Sequence, residues 1–214
     1  KFPKKYFDIN VKSRIDIMED LKNMKFLKKY IYISTPEIFG STKKNLKESY
    51  NVYKPSTPYA ASKLSAELNF KIANSVGNLP LIISRFTNFY GPGQPLHRLI
   101  PKVLFSIKKG LFFPLHGGGL SKRNFIFSED FCYGIWKMII KGKPGNIYHF
   151  SGEKYASVKE TIKIICDLKK KKFKKIVKVT NDRLGKDDIY RLNSSKTKKI
   201  LNWKPKTSLR KIVV

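Results

Sequence analysis

Cysteine and histidine are scarce in this sequence, which has two cysteines and three histidines in 214 residues. Cys132 and Cys166 lie in apolar segments typical of helices and form no CxxC motif, so we expect buried free thiols in a reducing cytoplasm. The histidines are far apart, and no HExxH or HxH spacing is present. The composition therefore excludes a disulfide-rich scaffold and gives no support for a metal site.

Long apolar runs are absent as well. No run approaches the ~20 residues that a membrane helix needs, and no signal-peptide pattern opens the sequence. We therefore expect a cytoplasmic protein that is not inserted in a membrane. The sequence opens on Lys1 and reads like the interior of a domain, so we also expect a fragment of a longer protein.

Acidic residues are few: 15 Asp and Glu stand against 45 Lys and Arg, a formal charge of +30. This excess raises the possibility of a nucleic-acid partner. The basic residues are mostly lysines scattered along almost every segment, with one dense run at 168–178, whereas base recognition favours arginine. We therefore favour an anionic substrate over nucleic acid.

The pattern along the chain predicts alternating strands and helices. Apolar positions at helical spacing occur at 6–25, and Pro58 opens a second helical segment with an apolar face at Tyr59, Leu64, Leu68 and Ile72. Ser157 and Glu160 form a capping box. The predicted helices are 6–25, 57–76, 97–110, 128–142 and 157–168, and the predicted strands are 29–34, 79–86, 123–127 and 145–150. Such alternation is typical of an α/β domain with a parallel sheet.

Tyr59 and Lys63 form a pair that could carry acid–base chemistry. Their i, i+4 spacing puts both side chains on one helix face. A cation there favours ionisation of a phenol, whose pKa is ordinarily about 10, and makes it a usable base. A YxxxK spacing also occurs by chance, and the alternative is a half-buried tyrosine with a lysine that reaches to solvent.

The pair belongs to a longer, ordered set of motifs. They are INV (9–11), YIYISTPEIFG (30–40), PSTPYAASK (55–63), RFTNFYGPG (85–93), LIPKVL (99–104), PLHGGGLSKRNFIFSEDF (114–131), DRLGKD (182–187) and LNWKP (201–205). In this order the chain resembles the extended short-chain dehydrogenase/reductase family, specifically the nucleotide-sugar epimerases and dehydratases. The resemblance covers nearly the whole chain.

The resemblance implies a fold. We expect the C-terminal part of a Rossmann-type doubly wound parallel sheet plus a smaller α/β substrate-binding lobe. Residues 1–95 would be the partial NAD-binding domain, without its first βαβ units. Residues 96–214 would form mainly the lobe that binds the nucleotide sugar, with some segments returning to the sheet.

The resemblance also implies roles for residues near the tyrosine. Tyr59 matches the family's catalytic tyrosine, which removes the 4-OH proton of the sugar as hydride leaves C4 for the nicotinamide. Lys63 would lower the pKa of that tyrosine and hold the nicotinamide ribose, and Thr35 would hydrogen-bond the same sugar oxygen. We expect Ser34, with Tyr59 and Lys63, to contribute to NAD binding.

Further positions match substrate-binding residues of the family. Asn88 matches a residue that contacts the substrate, Arg123 the arginine that grips the diphosphate, and Arg183 a second arginine on the nucleotide side. Arg98 also suits a nucleoside diphosphate. Each has an alternative, because the arginines could be solvated surface charges and Asn88 a turn former.

One family element is missing from the sequence. The glycine fingerprint for a dinucleotide should follow the first strand, but no glycine precedes Gly40. The HGGG at 116–119 does not join a strand to a helix and is no substitute. We therefore expect NAD to be the cofactor of the longer protein, and this chain alone to bind NAD poorly or not at all.

The residues after Thr35 bear on the reaction. In the dTDP-glucose 4,6-dehydratases an Asp-Glu pair stands there as acid and C5 base, whereas simple 4-epimerases usually lack the glutamate. In this chain Pro36 precedes Glu37. Glu37 favours a 4,6-dehydratase, and Pro36, which has no proton to give, keeps open a 4-epimerase or a UDP-glucuronate-type decarboxylase. The resemblance also implies a role in lipopolysaccharide or surface-polysaccharide biosynthesis.

A non-enzymatic function is the alternative to these reactions. Without the glycine-rich part, the chain could be a non-catalytic remnant that binds nucleotide sugars or polyanions. Relatives are commonly dimers, so a homodimer is also expected from the resemblance.

Overall fold

The computed structural model describes residues 3–21, 23–77, 79–182, 187–208 and 210. Contacts between Cα atoms divide the chain into two compact units. The first unit comprises Lys1–Phe86, Tyr133–Phe150 and Tyr190–Trp203, and the second comprises Thr87–Cys132, Ser151–Ile189 and Lys204–Val214. The units divide after Phe86, where a strand ends, whereas the sequence predicted a boundary near residue 95.

Helices and strands alternate along most of the chain. In chain order the elements are α1 Pro3–Phe7, a π-helical turn Asp8–Lys12, α2 Ser13–Leu21, β1 Tyr30–Ser34, a 3₁₀ helix Pro36–Phe39, β2 Asn45–Leu46, α3 Pro58–Gly77, β3 Leu81–Phe86, β4 Asn88–Tyr90, α4 Leu99–Lys109, β5 Phe113–His116, a 3₁₀ helix Gly117–Gly119, β6 Lys122–Phe127, α5 Ser128–Lys141, β7 Ile147–Phe150, β8 Tyr155–Ser157, α6 Val158–Leu168, α7 Phe173–Ile176, β9 Val177–Thr180, β10 Arg191–Leu192 and α8 Ser195–Leu201.

The first unit contains a parallel sheet in the order β1-β3-β7. Ser34, the last residue of β1, is in register with Arg85 of β3, and Arg85 is in register with His149 of β7. Every residue of β3 is buried, as the nearly continuous apolar run of this strand predicted. The parallel pairing confirms the predicted α/β class and brings the carboxyl ends of three strands to one edge.

Helix α3 packs on this sheet through a face that the sequence did not predict. Its buried side chains are Ala60, Ser62, Ala66, Glu67 and Phe70. The predicted apolar face was wrong at Leu68 and Ile72, which are 41% and 59% exposed, whereas Leu64 packs against a core cluster as predicted. Small residues allow the helix to approach the strands closely, and the polar groups on this face find partners in the interior. Ser62 Oγ, for example, accepts a hydrogen bond from Asn10 Nδ2 at 3.0 Å.

The second unit has a mixed sheet in the order β4-β6-β8 and a parallel pair of β5 and β9. Its core is apolar and contains Tyr90, Ile100, Val103, Phe113, Leu115, Phe127, Ile162, Ile165, Cys166 and Ile176. The capping box predicted at the start of α6 is present: Ser157 Oγ accepts from Glu160 N, and Ser157 N donates to Glu160 Oε2.

The two cysteines differ in their surroundings. Both are free thiols, but Cys132 is exposed, which corrects the expectation that both are buried. Cys166 lies in the core of the second unit, and burial raises the pKa of its thiol. Among the residues that the structure describes, no helix has the length and apolar character required to span a bilayer.

Candidate active site

The segment that follows β1 is shaped by a Thr-Pro pair. Thr35 has an extended backbone and caps the 3₁₀ helix that begins at Pro36, and its Oγ1 accepts a hydrogen bond from Glu37 N at 3.3 Å. Proline suits the first position of a helix, because that N–H has no partner within the helix. Pro36 is thus a helix start, and it leaves the Thr35 O–H able to donate to another group.

Gly40 ends this short helix, and its backbone conformation predicts that a larger residue there destabilises the fold. Its φ is +65°, and a Cβ there would lie 2.2 Å from Lys54 O. Gly40→Ala is therefore expected to lower the free energy of unfolding by about 2–4 kcal/mol, as urea denaturation would measure. Gly77→Ala is the matched control, because a Cβ at Gly77 meets no heavy atom within 4 Å. Equal effects of the two changes would contradict the strain argument.

A second Thr-Pro pair opens α3. Thr57 Oγ1 accepts from Ala60 N at 3.1 Å, and the helix begins at Pro58. Tyr59 therefore lies in the first turn of a 20-residue helix. The helix dipole favours negative charge at that end. The Tyr59 ring packs edge to face against Tyr6, with 5.7 Å between the ring centroids.

Lys63 connects this helix to the end of β1. Its Nζ donates to Ile33 O at 2.7 Å and lies 4.4 Å from the centroid of the Tyr32 ring. The pKa of Lys63 is lowered to about 8, chiefly by burial and also by the charge of Arg14, while Glu67 acts in the opposite direction. Lys63 is thus a partly buried ammonium beside Ser34 and Thr35.

Ser34 presents a hydroxyl at the same strand end. The residue is 5% exposed, and its Oγ forms no hydrogen bond of regular geometry with the described residues. The hydroxyl is still near enough to the Glu67 carboxylate to help lower the pKa of that group. Of the sequence-predicted residues, the first unit therefore gathers Ser34, Thr35 and Lys63 at one strand end, with Glu37 and Tyr59 on adjoining helical turns.

The second unit carries the predicted substrate residues. Asn88 begins β4 and is in register with Phe125 of β6, so alternation along β6 puts Asn88 and Arg123 on one face of the sheet. On the other face, Asn124 is buried and accepts from Thr87 Oγ1 at 2.7 Å. Arg98 is exposed at the start of α4. Arg183 lies outside the described residues.

Arg123 makes contacts that the sequence did not suggest. Its Nη1 donates to Lys122 O at 2.8 Å and to Asp188 O at 3.3 Å, and its Nη2 donates to Asp187 O at 2.8 Å. These are main-chain carbonyls within the second unit, so part of the guanidinium holds the chain at Asp187 and Asp188. The surface-charge alternative for Arg123 does not describe this arrangement.

One buried group of residues was not predicted from the sequence. Glu67, Arg85 and His149 are each 0% exposed, and Arg85 contacts both of the others. A signal was available, because Arg85 interrupts the apolar strand LIISRF, and a buried arginine requires a partner. Among the described residues no three His, Cys, Asp or Glu side chains are grouped as a metal site would require.

The parallel sheet and the tyrosine–lysine pair beside a strand end define a Rossmann-type short-chain dehydrogenase/reductase. The family comparison is more specific. The chain belongs to the GDP-mannose 4,6-dehydratase family, whose model matches residues 1–214.

Individual relatives agree with this family. The Escherichia coli dTDP-glucose 4,6-dehydratase is 29% identical over 204 residues, which are 88% of this chain and 56% of that protein. The human dTDP-D-glucose 4,6-dehydratase is 32% identical over 185 residues, 84% of this chain and 53% of that protein. This chain thus spans about half the length of these two curated relatives.

A solved structure is similar over almost the whole chain. It is a dTDP-glucose 4,6-dehydratase from Streptomyces venezuelae, determined with NAD and TYD bound. The TM-score is 0.93 at 28% identity, and the match covers 99% of this chain and 66% of that chain.

Proposed function

We propose that the protein containing this chain is an NAD-dependent nucleotide-sugar 4,6-dehydratase. The observation that carries the proposal is the junction of β1 and α3, where Lys63 Nζ bonds Ile33 O at 2.7 Å. This bond holds the helix that bears Tyr59 against the strand end that bears Thr35. The dehydratase names of the relatives support the same reaction.

In the proposed reaction, proton transfer begins at Tyr59. The phenolate takes the proton of the sugar 4-OH, and the Thr35 hydroxyl donates a hydrogen bond to the same oxygen. The Lys63 ammonium stabilises the phenolate one helical turn away. When bound, NAD supplies the chemistry of accepting a hydride from C4 and returning it to the sugar.

The residues present fit one end of NAD. An ammonium has three N–H donors, and Lys63 gives one of them to Ile33 O, so the others can bond a ribose diol. Ser34 lies at the same strand end, but its hydroxyl is buried near the Glu67 carboxylate, and its part in NAD binding stays a prediction. The pyrophosphate cradle has no counterpart in this sequence, whose first glycine is Gly40. Weak or absent NAD binding by the 214 residues alone stays a prediction.

Glu37 distinguishes elimination from simple epimerisation. Its carboxylate takes the C5 proton of the 4-keto sugar, and the C5–H electron pair becomes the C5–C6 double bond as hydroxide leaves C6. The departing hydroxide needs a proton, which Pro36 cannot give. Tyr59, which holds the proton taken from the 4-OH, supplies it directly or through a bridging water, and one water molecule is released.

Asn88, Arg98, Arg123 and Arg183 remain proposed contacts to the nucleoside diphosphate. Arg123 would share its N–H donors between that ligand and the carbonyls of Asp187 and Asp188. A homodimer and a place in surface-polysaccharide biosynthesis stay predictions from the resemblance, and a cytoplasmic location stays a prediction from the composition.

Mass spectrometry tests the reaction class. The complete protein, supplied with NAD and a panel of nucleotide sugars, is expected to convert one of them to a product lighter by one water molecule. Loss of carbon dioxide would indicate a decarboxylase, and an isomer of unchanged mass would indicate an epimerase; either result would contradict the dehydratase.

Glu37→Gln separates the two chemical steps. The variant is expected to lose water release by about 10²–10⁴-fold while the absorbance of reduced NAD still forms, because C4 oxidation requires Tyr59 and not Glu37. Glu153→Gln, at an exposed glutamate of the second unit, is the matched control. Unchanged water release in the Glu37 variant would remove Glu37 from the proposed mechanism.

A further inference from the structure

A buried cluster of titratable side chains lies beneath α3. Glu67 is on α3, Arg85 on β3 and His149 on β7, and each residue is 0% exposed. Arg85 Nε donates to Glu67 Oε2 at 3.2 Å, and Arg85 Nη2 donates to Glu67 Oε1. A two-bond contact between guanidinium and carboxylate fixes direction as well as distance. The pair therefore ties the helix to the sheet in one position.

His149 completes the environment of the guanidinium. Its Nε2 lies 3.0 Å from Arg85 Nη1, and its Nδ1 lies 3.1 Å from Leu46 O. Burial, followed by the charge of Arg85, lowers the pKa of His149 to about 3, so the ring is neutral. A carbonyl can only accept, so Nδ1 carries the hydrogen and Nε2 accepts from Arg85. The neutral His149 ring thus accepts a hydrogen bond from the Arg85 guanidinium and adds no charge to the cluster.

Glu67 is held as an anion. Burial acts to raise the pKa of this carboxyl, but the hydrogen bonds and the charge of Arg85 outweigh burial and lower the pKa. Lys71 Nζ lies 3.0 Å from Glu67 Oε1, one turn further along α3. The carboxylate thus persists in the interior because two cations contact it.

Glu67 is also one turn from Lys63, and the groups that face the Lys63 ammonium come from three elements. They are Tyr59 and Glu67 on α3, Tyr32 on β1 and Arg14 on α2. Arg14 disfavours the charged form of Lys63 and Glu67 favours it. With burial, Arg14 and Glu67 acting together, the pKa of Lys63 is about 8. Loss of the negative charge at Glu67 would lower this pKa further and reduce the ammonium fraction near neutral pH.

We propose that Glu67 is a positioning residue for the catalytic pair: its carboxylate, clamped by Arg85, supplies the negative charge that keeps Lys63 an ammonium. The consequence for catalysis rests on the proposed function, whereas the protonation of Lys63 is a property of the folded chain. The two can therefore be tested separately.

The first test measures the pKa of Lys63 by NMR titration of its side-chain Cε and Hε signals, assigned by their loss in Lys63→Arg. Glu67→Gln is expected to lower that pKa by about one unit, roughly the effect of a unit charge one helical turn away. Because this change leaves Arg85 buried without its anion, the double variant Glu67→Gln with Arg85→Met is measured beside it. A smaller shift in the same direction is expected there, because the double variant also removes the positive charge of Arg85 beside Glu67.

Two controls isolate the charge from the packing. Glu67→Asp keeps the anion and is expected to restore most of the pKa of Lys63. His149→Gln disturbs the cluster but keeps Glu67 and is expected to leave that pKa within about 0.3 unit, since His149 is neutral. An unchanged pKa of Lys63 in both Glu67→Gln variants would overturn the proposal, as would an equal shift in His149→Gln.

Turnover supplies the separate readout. If the proposed function holds, the alkaline limb of the kcat/KM profile shifts to lower pH in the Glu67→Gln variants by the amount seen in the NMR titration. A shift in the titration without a shift in the profile would support the charge effect of Glu67 and contradict the proposed role of Lys63. If the pKa of Lys63 in the NMR titration does not change, the inference is rejected regardless of any change in the kcat/KM profile.

Discussion

Tyr59→Phe is expected to reduce turnover by at least about 10³-fold, because the change removes the oxygen that takes the 4-OH proton. The packing loss is small, since the ring remains to contact Tyr6. Binding of the nucleotide sugar is expected to change by less than about threefold. The measurement combines single-turnover kinetics with calorimetric binding on the complete protein. Loss of kcat with retained affinity is the signature of a group that acts in the transition state.

Tyr6→Phe is the matched control for this prediction. It removes a hydroxyl from the other ring of the same edge-to-face pair and leaves the proposed base in place. Turnover within about twofold of the unchanged protein is expected. Comparable losses in both variants would mean that the aromatic packing, rather than the Tyr59 oxygen, is what the reaction requires. Turnover unaffected by Tyr59→Phe would contradict the proposed mechanism as a whole.

The second large effect concerns the buried ion pair. Glu67→Gln is expected to lower the free energy of unfolding by about 3–5 kcal/mol, because it leaves the Arg85 charge uncompensated in the interior. The double variant with Arg85→Met removes both charges. It is expected to recover more than half of that loss, since methionine fills apolar space without requiring a partner. Urea denaturation with unchanged m-values would measure both.

Glu153→Gln again serves as the control, because an exposed glutamate is expected to change the free energy of unfolding by less than about 0.5 kcal/mol. A loss of only about 1 kcal/mol in Glu67→Gln would show that water reaches Arg85 in the variant. Additive losses in the double variant would show that the two residues stabilise the fold independently, contrary to the two hydrogen bonds between them.

Local chemistry accounts for the parts that the sequence predicted. The i, i+4 spacing of Tyr59 and Lys63 needs only a helix, and Thr57 and Pro58 begin that helix through a cap and a preset φ. The capping box of Ser157 and Glu160 is equally local. The apolar run of β3 predicts a strand covered on both faces. The order of the motifs along the chain predicted the family, and the match of the family model to residues 1–214 confirms this prediction.

Tertiary structure decided which side chains are inside and what they contact. Leu68 and Ile72 are apolar yet exposed, while Glu67 on the same helix is buried, because Arg85 of β3 pairs with it and His149 of β7 in turn bonds Arg85. Periodicity along α3 carries no information about those partners. Cys132 likewise lies in an apolar segment and is exposed. The sequence by itself thus determined the helix that bears Tyr59 and Lys63. The charge environment of Lys63 arose only when α2 and β1 placed Arg14 and Tyr32 beside that helix, since electrostatic interaction depends on distance in space and not along the chain.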